Sequence, residues 1–80
     1  MQVEEIKRLI EKKLGDAEIL IEGDGTHFTA IVISPLFMRQ SRIKRQQLVY
    51  DAVRKELLDG SLHALSIKTY TPDEWQEKTT

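Results

Sequence analysis

From Val3 the apolar residues fall at Val3, Ile6, Ile10 and Leu14, with Leu9 widening the stripe and Glu4, Glu5, Arg8, Glu11 and Lys12 filling the positions between. A 3-4-4 spacing is the period of an amphipathic helix. Acids in the first turn, Lys12 and Lys13 in the last and Gly15 beyond them suit the helix dipole and supply a stop, so the pattern predicts a helix over residues 2–14. The period then changes to two. Ala17, Ile19 and Ile21 alternate with Glu18, Leu20 and Glu22, and after Gly23-Asp-Gly-Thr26 a second apolar run, His27-Phe-Thr-Ala-Ile-Val-Ile-Ser34, begins. Two strand patterns around a Gly-Asp-Gly turn predict an antiparallel hairpin, with strands at 17–22 and 28–34.

Pro35 ends the second strand because it lacks the N–H that a ladder uses. Ser41 then offers a cap to a helix running from Arg42 to Leu58, with Ile43, Gln46, Val49, Tyr50, Val53 and Leu57 as its inner stripe and Asp59-Gly60 as its end. A third strand is predicted at 61–69, with His63, Leu65, Ile67 and Thr69 on one face and Leu62, Ala64, Ser66 and Lys68 on the other. Thr71 as cap, Pro72 at the first helical position and Asp73-Glu74 in the first turn predict a short terminal helix. Its Trp75 is expected to clamp the helix to the sheet, with a place on a binding surface as the alternative.

The order helix, strand, strand, helix, strand, helix makes a two-layer α+β domain with a three-stranded mixed sheet. The third strand, reached through a helical crossover, is expected to run parallel to one of the hairpin strands. This is a type II KH-like topology, but the Gly-x-x-Gly loop with which KH domains clamp a nucleic-acid backbone is absent between helices.

Composition narrows the function. Eighty residues hold one domain, 1–80, whose folding buries about 60–65% of the unfolded chain's surface. Twelve basic residues against thirteen acidic ones give a net charge of −1, so no overall cationic field draws in nucleic acid, and any basic patch is local. No residue is cysteine, which fits a reducing compartment and leaves the chain without a thiolate of its own. No run approaches the ~18 apolar residues of a membrane span, and the expected setting is the cytoplasm.

Candidate chemistry is sparse. Gly23-Asp-Gly25 lacks both the third glycine and the following helix of a phosphate-binding loop, so it reads as a hairpin turn. Arg39, Arg42, Lys44 and Arg45 gather where the helix dipole prefers acids; they form either an anion- or partner-binding surface or a solvated charged face. His63, near the start of the third strand, is either a ligand or a partly buried packing residue. No nucleophile stands beside a base, and no enzymatic activity or catalytic residue is expected.

Three blocks carry a family resemblance: Gly23-Asp-Gly-Thr-His-Phe28; Leu36-Phe37 followed by Ser41-Arg-Ile-Lys-Arg-Gln-Gln-Leu-Val-Tyr50; and His63-Ala-Leu-Ser-Ile-Lys-Thr-Tyr-Thr-Pro-Asp-Glu-Trp75. Over residues 3–75 the chain resembles the BolA family, in particular a bacterial branch of it. Many relatives have glycine two residues after Phe37, where this chain has Arg39. The resemblance implies a partner of monothiol glutaredoxins that shares a [2Fe-2S] cluster in a hetero-complex, in cluster trafficking or iron sensing. The glutaredoxin thiolate and a glutathione thiolate would hold one side, and His63 matches the histidine that the family supplies. The chemistry agrees, since imidazole ligates iron and the sulfur ligands must come from elsewhere. For the second ligand the loop offers His27, with Asp24 as a weaker oxygen donor; His27 reads equally as a strand-entry residue beside Phe28. Arg42, Lys44 and Arg45 would dock the partner or glutathione's carboxylates. The competing reading is a nucleic-acid-binding transcriptional regulator that uses this basic helix start.

Overall fold

The structure, a computed structural model, describes residues 1–79. Helix α1 spans Val3–Leu14, strands β1 and β2 span Glu18–Gly23 and His27–Ile33, and a 3-10 turn covers Pro35–Phe37. Helices α2 (Arg42–Ala52) and α3 (Arg54–Asp59), strand β3 (Ala64–Tyr70) and helix α4 (Pro72–Thr79) complete the chain. The sheet order is β1-β2-β3, with β1 antiparallel and β3 parallel to β2. The two-layer α+β domain with a mixed sheet, expected from the pattern, is what forms.

Ile6, Ile10 and Leu14 of α1 meet Ile19, Phe28, Ala30, Val32, Leu65 and Ile67 from one face of the sheet, with Val49 and Val53 from the crossover helices. Every second strand residue points into this core and its neighbours point away, as the pleat requires. The opposite face is open except where α4 crosses it. There Trp75 packs on Tyr70 with ring centroids 5.2 Å apart, in a tilted geometry. Trp75 thus clamps α4 to the sheet, and Ile33 beneath it is buried.

Three boundaries differ from the sequence pattern in ways that bear on the site. The crossover is two helices, not one from 42 to 58. At Val53 (φ −120, ψ 16) the backbone leaves the helical region, and its N–H bonds to the Tyr50 carbonyl, three residues back. Apolar spacing passes through such a tightened turn unchanged, so periodicity misses it. The inner stripe is also rotated. Ile43 is 71% exposed and Gln46 is exposed, whereas Arg45 is buried.

The third strand begins at Ala64 rather than 61. Gly60 closes α3 in the left-handed conformation (φ 84), the Asp59 carboxylate accepts the Ser61 N–H at 2.9 Å, and the Leu62 N–H bonds to the Glu56 carbonyl at 3.0 Å. Leu62 and Leu65 are both buried. Three residues apart, they cannot lie on one face of a continuous strand, so His63 falls outside the alternation and is exposed rather than sharing the apolar face.

Arg39 has φ 64, the only positive value at a non-glycine among the described residues. The left-handed region crowds a Cβ against the following carbonyl, by about 1–2 kcal/mol, a cost that glycine would not bear. Arg39→Gly is therefore expected to raise stability by about 1 kcal/mol, less whatever the glycine adds to unfolded-chain entropy. Urea denaturation checks it. Gly23 shows the converse. A Cβ there would stand 2.4 Å from Phe28 Cδ1 and 2.6 Å from the His27 carbonyl oxygen, so Gly23→Ala is expected to destabilise the fold by about 1–3 kcal/mol in the same measurement.

Candidate functional site

The parallel pairing of β2 with β3 sets His27 opposite Ala64. His63 immediately precedes Ala64, so both histidines stand at the same end of the sheet, His27 as the first residue of β2 and His63 just before β3. The His63 Cα is one residue, about 3.8 Å, from the Ala64 Cα that pairs with His27. Both are exposed.

Each is held by its backbone. In the β1–β2 turn the Asp24 carboxylate accepts the N–H groups of Thr26 at 2.9 Å and His27 at 2.8 Å, while the Asp24 N–H donates to the His27 carbonyl at 3.2 Å. This Asx turn fixes His27 on both sides. The donated N–H groups, that of His27 foremost, hold the Asp24 carboxyl below its ordinary range. Asp24 is thus committed to the turn, and one of its oxygens is taken up by two backbone donors. His63 lies between Leu62, buried and hydrogen-bonded to α3, and the first residue of β3.

Among the described residues no group of three or more His, Cys, Asp or Glu is placed to hold a metal ion. Two exposed imidazoles at one end of the sheet can supply nitrogen ligands to an iron centre but cannot complete one. The donor set therefore fits a site whose remaining ligands come from another molecule. It does not fit a metal centre belonging to this chain alone.

The cations expected to accompany the histidines lie elsewhere. β2 leaves the histidine end and its seven residues carry the chain about 20 Å to the far end of the strands, beyond which come the 3-10 turn, Arg39 and α2. Arg39, Arg42 and Lys44 are exposed there. Ser41 caps α2, accepting the Lys44 N–H at 3.1 Å.

Arg45 leaves the binding set altogether. Its guanidinium donates to the Glu74 carboxylate at 2.7 and 3.3 Å and to the Gln40 carbonyl at 3.1 Å, and it lies over the Phe37 ring. With its hydrogen bonds directed inward and its side chain only 9% exposed, it ties α2 to α4. Glu74 also accepts the Thr71 N–H at 2.8 Å, while its own N–H donates to the Thr71 hydroxyl at 3.2 Å. This capping box is legible in Thr71-x-x-Glu74. The long-range pairing with Arg45 has no local signal.

Residues 4–74 match the family described as BolA-like protein. The chain is similar to the acid stress protein IbaG of Escherichia coli K12, 41% identical over 94% of this chain and 89% of that one. It is also similar to a solved bolA protein homologue from Coxiella burnetii, with a TM-score of 0.83 and 42% identity over 95% and 97% of the two chains. BolA1 from Arabidopsis thaliana superposes with a TM-score of 0.76 at 37% identity, over 89% and 92%. No enzyme is named among these three. Among the described residues no helix is long and apolar enough to cross a membrane.

The Arg45 pair makes a pH prediction. Hydrogen bonds from Arg45, then from the Thr71 N–H, lower the Glu74 carboxyl from 4.5 to about 2. A carboxyl depressed by folding stabilises the native state above its unfolded pKa and loses that effect as pH falls toward its folded one. The difference in urea midpoint between the native chain and Glu74→Gln is therefore expected to be full above about pH 5 and to shrink steadily below it. A difference that stays constant down to pH 3 would show that the charge on Glu74 is unimportant.

Proposed function

The chain belongs to the BolA family, and on that premise we propose that it is a partner of a monothiol glutaredoxin, sharing a [2Fe-2S] cluster with it in a hetero-complex for cluster trafficking or iron sensing. The observation that carries this reading is the pair of exposed histidines at one end of the β2–β3 pair. Their donor set is incomplete by itself, and a chain without cysteine must take its sulfur ligands from its partner.

The cluster, when shared, supplies one-electron redox and transferable iron, with a potential that imidazole ligation raises. The chain's own residues bind and orient. His63 is the principal ligand, its backbone fixed by the buried Leu62 on one side and the strand on the other. His27 is the auxiliary ligand, held by the Asx turn, and Asp24 acts as the holder of His27. Arg39, Arg42 and Lys44 stand toward the far end of the strands from these histidines. Those cations are left for contacts at the other end of the molecule. We place this activity in the cytoplasm, a setting compatible with a chain that carries no cysteine.

Nucleic-acid binding through the start of α2 has less support. Arg45 is engaged internally, and the α2–α3 junction, Ala52-Val53-Arg54, has no glycine with which to approach a phosphate backbone.

The test is to mix the protein with a cluster-loaded monothiol glutaredoxin and glutathione, and to follow visible absorption and circular dichroism. His63→Ala is expected to abolish the hetero-complex spectrum and His27→Ala to shift it. Both side chains are exposed, so thermal unfolding should be unchanged. Loss with His63→Ala alone would move the second ligand away from His27, and spectra unaffected by either substitution would defeat the cluster assignment.

A further inference from the structure

The sheet has two outer edges, and they differ in charge. Glu18 and Glu22 flank β1. The outer edge of β3 faces the first half of α2 across a groove of about 320 Å³ lined by Arg42, Gln46, Ile67, Lys68, Thr69 and Tyr70. In a parallel pair, alternate residues of a strand turn both N–H and C=O toward the neighbour, and the residues between turn both away. The Ser34 N–H donates to the Tyr70 carbonyl at 3.0 Å, so Tyr70, Lys68 and Ser66 face β2. Leu65, Ile67 and Thr69 then face outward. The Tyr50 hydroxyl donates to the Leu65 carbonyl at 3.0 Å, which agrees with this assignment and closes that end of the edge. At the other end the Thr71 N–H is taken by Glu74. The side chains of Ile67 and Thr69 are buried, so what these two residues offer the groove is their backbone.

We propose that this edge accepts an extended acidic segment of a partner protein as a fourth strand. Its backbone bonds to Ile67 and Thr69, and its carboxylates are read by Arg42 and Lys68. Strand addition of this kind draws affinity from the main chain and specificity from the flanking side chains. A phosphate backbone has only acceptors and would leave the outward carbonyls of Ile67 and Thr69 unpaired, whereas a peptide brings donors and acceptors in alternation. The two closed ends limit the added strand to about three or four residues. Successive side chains of that strand point to opposite faces. Arg42 stands on the helical side and Lys68 on the open face, so adjacent carboxylates meet one cation each. The site runs from the middle of β3 toward its end, away from the histidines, and does not depend on the cluster reading.

The test uses a fluorescein-labelled peptide of repeated Val-Glu-Asp-Val, with anisotropy and amide hydrogen exchange as readouts. Binding is expected to protect the Ile67 and Thr69 amides. Arg42→Ala and Lys68→Ala should each weaken it about threefold to fivefold. N-methylation of alternate peptide nitrogens, which leaves the protein untouched, should abolish it in one of the two registers. Equal binding by a lysine-substituted peptide, or by both N-methylated registers, would overturn the proposal. Displacement of the peptide by a single-stranded oligonucleotide that protects the same amides would assign the edge to nucleic acid instead. Self-association dependent on Arg42 and Lys68, without peptide binding, would assign it to the acidic β1 edge of a second copy.

Discussion

The parallel pairing of β2 with β3 is the constraint on which the rest of the molecule depends. Two parallel strands cannot be joined by a hairpin, so the chain must travel back over the sheet before it can start β3, and α2 with α3 make that return. The pairing is held by burial. Phe28, Ala30 and Val32 sit opposite Leu65, Ile67 and Thr69 in register, all of them buried under the helices. A slip of one residue would turn the three of the slipping strand to the other face, so the register is strongly specified.

This pairing separates two kinds of chemistry. The strands' starts carry His27 and His63; their ends carry the 3-10 turn, the cationic start of α2 and the cap of α4. Imidazole nitrogens and guanidinium groups that look like parts of one surface in the sequence are thus held about a strand length apart. Each end is stiffened by its own local device. Asp24 closes the turn behind His27, Leu62 anchors the approach to His63, and Arg45 with Glu74 fastens α2 to α4. The hydrogen bonds of these holding residues are made within the fold. They limit the backbone conformations available to the exposed side chains beside them, which is the condition under which a contact costs least entropy.

Open edges are a recurrent hazard for a small sheet, because unpaired backbone groups invite strands from other chains. Here the two edges are guarded by opposite charges, Glu18 and Glu22 on β1 and Lys68 with Arg42 beside β3. Tyr50 further shortens the β3 edge by occupying the Leu65 carbonyl. What is left open is short, polar and flanked by cations, and so selective for the charge of whatever approaches it.

Periodicity and punctuation were enough to determine the elements and their order. The 3-4-4 stripe of α1, the Gly-Asp-Gly turn, Pro35, the Ser41 cap and Thr71-Pro72 each act within a turn or two of their own position, where local sterics and backbone hydrogen bonding decide the outcome. The three motif blocks likewise pointed to the family and to His63 and His27. Exposure, partnership and distance belonged to the tertiary structure. Arg45 reads as one cation among four, and only the packing of α4 against α2 brings Glu74 to it and turns it inward. His63 reads as a member of an apolar strand face, and only the burial of both Leu62 and Leu65 sets it outside. The cations and the histidines read as neighbours in function, and only the parallel crossover puts them at opposite ends. Contacts between residues far apart in the chain are fixed by which surfaces bury together, and no local pattern encodes that.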